Sequence, residues 1–240
     1  MARKTLSLPG SKGISHAEWF GMFLNVSFFK NLDKEIVRQI YLQSVVQTYG
    51  KGEILFKEGE PSINVFIVLV GRVKIVKNLS QQTETILNII HPGQAVDELA
   101  IVEKSSSPVS GIAIEYSRVA KIHQCVFLKF INKYPEMAFQ IIRSLGDRLK
   151  QFTDNITSMA NLSVEKRLAR LLVNFSDDMG IPDSRGILLN LPVTRTEMAE
   201  IIGTSTEVVI REIQKMKKKG LLEVYGKRII ILDQKKFQMI

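Results

Sequence analysis

The chain is short of cysteine, histidine, tryptophan and acid, and each shortage excludes something. Cys125 is the single cysteine in 240 residues, so no intramolecular disulfide framework and no all-cysteine zinc or iron–sulfur site can form within one chain. A reducing, cytoplasmic setting is the expectation that follows. No run approaches the roughly 20 apolar residues of a membrane helix, and no membrane partner is expected. The opening MARKTLSLPGSKGIS carries basic residues without an apolar segment, so it reads as a loose arm and not a secretory signal. With 24 acidic against 33 basic residues, the formal charge is +9. That suits an anionic partner, although net charge speaks to association and not to fold. Phosphate loop, nucleophile elbow, metal-ligand cluster and RNA-type aromatic interleaving are all missing. Asp97 and Glu98 are adjacent carboxylates, but as strand neighbours they would point to opposite faces. No enzyme is expected.

What is present concentrates near the C-terminal end. In TRTEMAEIIGTSTEVVIREIQKMKKKG (194–220), Met198, Ile201 and Ile202 fall at i, i+3 and i+4, the stripe of a short helix. Gly203 suits a positive-φ turn, and Ser205 is a good N-cap. Val209, Ile213 and Met216 then mark a second amphipathic helix. The pattern predicts a helix-turn-helix whose second helix enters the DNA major groove led by Ser205, Thr206, Glu207 and Arg211. LLEVYGKRIIILD (221–233) reads as a two-strand hairpin turning at Tyr225, Gly226 and Lys227, which makes the unit a winged helix. Seven basic residues between Arg211 and Arg228 face only Glu212 and Glu223.

Upstream, residues 16–48 read as helical, with aromatic mass from Trp19, Phe20, Phe23, Phe28 and Phe29 and a helix continuing through 32–46. Residues 47–121 change to short β-rich runs punctuated by Gly50, Gly52, Gly59, Gly71 and Gly93, which predicts an antiparallel sandwich or jelly roll. From Pro135 to about Asn161 one long helix is predicted. Ile141, Leu145, Leu149, Phe152, Ile156 and Met159 are spaced four, four, three, four and three apart. This near-heptad seam fits a coiled coil between identical subunits; the alternative is a helix packed on its own roll. A break at 161–163, with Ser163 as N-cap, opens the next helix, VEKRLARLLVNFSDDMG.

In combination, KGEILFKEGE (51–60), VLVGRVKI (68–75), VEKRLARLL (164–172), TRTEMAEIIGTSTEVVIREI (194–213) and GKRIIILD (226–233) make the chain resemble the cyclic-AMP receptor protein / fumarate–nitrate regulator (CRP/FNR) family of bacterial transcription factors over about residues 20–235. The resemblance implies an α+β fold in three parts. Residues 1–134 would form an effector-sensing, cyclic-nucleotide-binding-like β-roll with N-terminal helices, 135–161 a dimerisation helix, and 162–240 a winged helix-turn-helix. It further implies a homodimer on palindromic double-stranded DNA, with RNA polymerase as partner if it activates. Glu207 and Arg211 stand where the family reads bases, and the chemistry agrees: one turn apart, a carboxylate accepts from cytosine N4 and a guanidinium fork pairs with guanine. The extra Arg that cyclic-AMP receptors carry before that Glu is here Thr206. The Ser that some oxygen-sensing members carry before the reading Arg is here Ile210. Half-sites with a TGA-like core and altered flanks are therefore expected. Arg195, Ser205 and Lys227 match positions that hold phosphates.

The sensor pocket departs from the family further. Nucleotide-binding members have Gly-Glu-Leu followed by an Arg-Ser pair for the phosphate. This chain has Asp97, Glu98 and Leu99, then EKSSSPVSG (103–111), with no arginine between Asp97 and Ser117. The family threonine on the central helix corresponds to Phe152. Asp97, Glu98, Leu99, Ser107, Leu149 and Phe152 are the candidate effector pocket, and cyclic AMP is not expected in it. An iron–sulfur cluster lacks its N-terminal cysteines. Haem is an alternative, with His16, His91 and His123 as candidate axial ligands and Met22 and Met137 behind them. Each histidine also has a plainer reading: His123 as a helix cap, His91 at a strand end, His16 in the arm. A small organic acid, peptide or aromatic held by residues 105–107 is another alternative, as is no effector. Cys125 reads as an inert core thiol. The rival reading is a sensor module without DNA binding, which residues 47–121 alone would fit.

Overall fold

The computed structural model describes residues 16–80 and 83–238. Helix α1 (His16–Leu24), a 3-10 turn (Ser27–Phe29) and α2 (Lys34–Leu42) precede the first strand, β1 (Val45–Tyr49). The helix expected through 32–46 is shorter at both ends. Asp33 caps α2 from outside, accepting from the Glu35 amide at 2.7 Å. Val45 and Val46, β-branched and stiff, pair instead with Lys121 and Ala120 on a later strand.

The roll continues with β2 (Ile54–Phe56), β3 (Asn64–Val70), β4 (Val73–Ser80), β5 (Thr83–Ile90), β6 (Ala95–Val96), α3 (Glu98–Glu103), β7 (Ser110–Ala113) and β8 (Ser117–His123). Two antiparallel sheets, ordered β1-β8-β3-β6 and β2-β7-β4-β5, face one another. The run NVFIVLV on β3 is apolar at nearly every position because both its faces are covered. Phe66 and Val68 point into the core between the sheets. Val65, Ile67 and Leu69 point the other way, into a layer built from α1, the 3-10 turn, α2 and two further helices, α4 (Gln124–Lys133) and α5 (Pro135–Asn161).

Helix α5 carries two apolar stripes, and this corrects the expected seam. Met137, Ile141 and Leu145 pack into the roll's outer core; Ile141 is only 6% exposed. They recur every four residues and so share one face. On the flanking face stand Phe139, Ile142 and Leu149, exposed by 70, 63 and 68%, with Gly146 between them and open space around its α-carbon. Ile141 and Leu145 therefore hold the helix to its own roll, while Leu149 faces outward. The side chains of Phe152, Ile156 and Met159 lie outside the described residues.

Beyond Ser163, whose hydroxyl caps it, α6 (Val164–Met179) begins the last unit: β9 (Ile181–Asp183), β10 (Gly186–Asn190), α7 (Arg195–Ile202), α8 (Thr206–Lys218), β11 (Leu222–Tyr225), β12 (Arg228–Ile231) and α9 (Gln234–Gln238). The wing is a four-stranded sheet, β11-β12-β10-β9, wider than the two-strand hairpin expected. GILLN supplies the extra central strand by pairing with β12. Leu168, Leu172, Met198, Ile213 and Ile229 fill its core, and Ile89 and Ile114 of the roll join the same cluster. Lys74 on β4 meets Glu197 on α7 at 3.1 Å. The winged helix thus rests on the roll of its own chain. Among the described residues no helix is long and apolar enough to cross a membrane.

Candidate nucleic-acid interface

The turn between α7 and α8 is built as its residues dictate. Thr194 and Glu197 close a reciprocal capping box at the start of α7. Gly203 ends that helix at φ 67 and ψ 56, a left-handed conformation that a side chain resists. Ser205 then caps α8 by accepting from the Val208 amide. Val209, Ile213 and Met216 are buried under α8. Its outer face presents Glu207, Ile210 and Arg211 to solvent.

Glu207 and Arg211 therefore stand one helical turn apart on an open surface. The Ser205 hydroxyl draws the Glu207 carboxyl below its ordinary range, which keeps it an acceptor at neutral pH. Arg211 is held only loosely, its Nε 3.7 Å from Glu212. Glu212 is itself buried and engaged by Lys215 at 2.7 Å. Thr206 is turned back toward Thr196, hydroxyl to hydroxyl at 3.3 Å, so it is less available than Glu207. Lys219 is bound to Glu165 at 2.6 Å. Of the four-lysine run, Lys217 and Lys218 are the exposed members without a carboxylate partner among the described residues.

The remaining phosphate candidates are less uniform. Lys227 is exposed at the wing tip. Arg195 is half-buried, its guanidinium against the Met198 sulfur at 3.3 Å, and burial lowers its pKa. An anion placed beside it would repay that lost hydration.

In the roll, Asp97, Glu98 and Ser107 come together as expected, but as a closed cluster. Asp97 occupies a left-handed conformation, φ 72, which turns its buried carboxylate inward to accept from the Ser62 hydroxyl. Glu98, 1% exposed, meets Arg148 of α5 at 2.9 Å. That pair is close but angled, so neither carboxylate oxygen accepts a well-formed hydrogen bond. Arg148 also donates to the Ala95 carbonyl. Burial raises the pKa of Glu98, with Arg148 opposing. It raises that of Asp97, with the Ser62 and Ser107 hydroxyls opposing. These two carboxylates open α3 and do not lie in a strand as expected, and they engage different partners. Leu99 and Leu149 are exposed and line nothing inside this cluster. Arg148 stands seven residues after Ile141 and three after Leu145, on the roll-facing side, and was missed because that face was assigned to a partner helix.

The described residues do not fit a haem site. His123 is exposed, and its Nδ1 caps α4 by accepting from the Cys125 amide at 3.3 Å. His91 sits in the turn after β5, Met137 is buried in the packed core, and the His16 side chain lies outside the described residues. Cys125 is exposed in the first turn of α4, not an inert core thiol.

Comparison with known proteins divides the chain as its folding does. Residues 46–134 match the family described as "Cyclic nucleotide-binding domain", and residues 166–240 match "Crp-like helix-turn-helix domain". Over 208 residues, 87% of this chain and 93% of the relative, it is 24% identical to the CRP-like cAMP-activated global transcriptional regulator of Mycobacterium tuberculosis. It is 26% identical to Electron transport regulator A of Shewanella oneidensis, covering 90% of this chain and 84% of that one. The fold superimposes on the c-di-GMP responsive global regulator CLP of Xanthomonas campestris with a TM-score of 0.73, at 23% identity, over 84% of this chain and all of that one.

Proposed function

The chain belongs to the CRP/FNR family of transcription regulators, and from that premise we propose that it is a homodimeric DNA-binding regulator of palindromic operators with TGA-like half-site cores. In this reading residues 1–134 sense an effector, 135–161 dimerise and 162–240 bind DNA. The observation that carries it is the paired display of Glu207 and Arg211 on the open face of α8, above a turn fixed by Gly203. Arg195, Ser205, Thr206 and Lys227 support the pair, most of them through the phosphate backbone, which sets register without reading sequence.

Dimerisation runs through the outward stripe of α5. Phe139, Ile142 and Leu149 recur at three and seven residues, and Gly146 lets two helices approach closely. A dimer would set two copies of α8 about 34–36 Å apart, one turn of DNA. Cytoplasmic location and, for an activator, contact with RNA polymerase belong to the same proposal.

The effector is not cyclic AMP held in the family manner. Asp97 already places a carboxylate among hydroxyls where a phosphate would need cations. Arg148 is already held by Glu98 at 2.9 Å and by the Ala95 carbonyl. The test is fluorescence anisotropy with a palindromic duplex carrying TGA half-sites against a scrambled duplex, across a salt series. Specific binding should exceed scrambled binding by about 10³-fold or more, with a steep salt slope in both. Equal affinity for the two duplexes would leave a nonspecific binder. No binding to either would favour the sensor-module reading.

A further inference from the structure

The winged helix and the roll do more than touch. Beside the contact made by Ile114 and the Lys74–Glu197 pair lies a cleft of about 310 Å³. Its floor is apolar: Ile114 from the roll, Leu191 and Pro192 from the segment before α7. Its rim is cationic, with Lys51 from the roll and Lys227 and Arg228 from the wing, and the Asn190 amide beside them. None of these three cations has a carboxylate partner among the described residues. The one acid on the rim, Glu115, is taken by Arg72 at 2.7 Å.

A lone exposed lysine needs no explanation, but this arrangement is different. Cations from two domains converge with no counter-charge, and their mutual repulsion works against the domain contact they border. An anion seated between them would reverse that sign. The apolar floor adds that it has a body as well as a charge, since sites of this kind join one apolar surface to a few convergent polar groups. We propose that this cleft binds a small organic anion, its phosphate or carboxylate head between Lys51 and the wing cations and its apolar body on Ile114, Leu191 and Pro192. A ligand that touches both domains favours the arrangement in which they are docked, and shifts the population toward it. This rests on the reading of the protein as an effector-controlled regulator, and moves the effector from the closed Asp97–Glu98 cluster to the seam.

The probe is phenyl phosphate, titrated calorimetrically into the full-length protein, with benzyl alcohol as its uncharged counterpart. Saturable binding of one phenyl phosphate per chain is expected, with none for benzyl alcohol. Lys51→Ala and Arg228→Gln should each weaken it by about tenfold, the loss of one charge-assisted contact. Lys51→Ala should leave affinity for random duplex DNA unchanged. Absence of saturable heat up to about 5 mM, weaker than any useful effector, overturns the proposal, as does binding that ignores both substitutions. So does a parent protein that binds no phenyl phosphate while its Lys51→Ala variant loses about one unit of salt slope on DNA, because the cleft would then be a track for DNA phosphates. Operator binding is scored separately on the same preparations. If it persists while phenyl phosphate fails, only the cleft falls; if phenyl phosphate binds and operator does not, the regulator reading falls instead.

Discussion

A guanidinium that reads a base must arrive in the groove without first breaking strong bonds of its own. Arg211 meets that condition, since its neighbour Glu212 is already engaged by Lys215. Arg211→Ala is expected to cost roughly 1–3 kcal/mol on a TGA-type operator and to relax one base position. Anisotropy on single-base operator variants checks this, and an equal loss on random DNA would make Arg211 a backbone contact. Glu98 has the opposite character, a carboxyl whose pKa burial raises in the folded chain. The native state then holds a proton that the unfolded chain releases. Its contribution is largest below the ordinary carboxylate range, near 4, and is lost as pH rises through the raised folded value. Glu98→Gln should flatten the fall in urea midpoint between acid and neutral pH, and an unaltered slope would mean that Arg148 keeps Glu98 ionised throughout. The exposure of Glu207 and Arg211 one turn apart was legible in the sequence, because an open helix face needs only local spacing. Arg148 was not, because its role depends on which face of α5 meets the roll.

Periodicity reports that a helix has an apolar face; it does not report what covers that face. In α5 the residues at 141, 145 and 149 look like one seam, yet Ile141 is buried and Leu145 half-buried against the roll, while Leu149 faces outward. Two stripes on one helix give overlapping repeats, and only the folded roll selects between them. Ile142→Asp or Leu149→Asp should yield a folded monomer by sedimentation velocity, with the circular dichroism of the parent. Ile141→Asp should instead destabilise the roll itself by more than about 3 kcal/mol, since it buries an unpaired charge. A dimer surviving in Leu149→Asp would remove the outward stripe as the interface. The α7–α8 turn was easier to read, because Gly203 and Ser205 are local signals that need no distant partner. Gly203→Ala keeps the Ser205 cap but forces a side chain into the left-handed region. A loss of about 1–2 kcal/mol in denaturant unfolding is expected.

Nothing local in the sequence announces that the winged helix draws two roll residues into its core. Ile89 and Ile114 lie among roll residues in the chain, yet they pack with the cluster that includes Met198 and Ile213. That apolar contact couples the two units, so the intact protein should melt in one calorimetric transition, unlike domains joined by a bare linker. Lys74 and Glu197 sit at the edge of that contact. For Glu197, burial pushes the carboxyl upward, but the Thr194 amide and Lys74 together outweigh it, and its folded pKa ends below the ordinary range. Its contribution to docking is therefore present above the unfolded value and disappears as pH falls through the lowered one. Lys74→Ala removes that pair while sparing the capping box, and Ile114→Asp removes the apolar part. In Ile114→Asp the single transition should split in two, the winged helix melting first, and amide exchange along α7 should quicken. Lys74→Ala should keep one transition near neutral pH but lower its midpoint. If Ile114→Asp still melts as one unit, the units are coupled through α5 and α6 alone, and a ligand in the seam would have no arrangement to select.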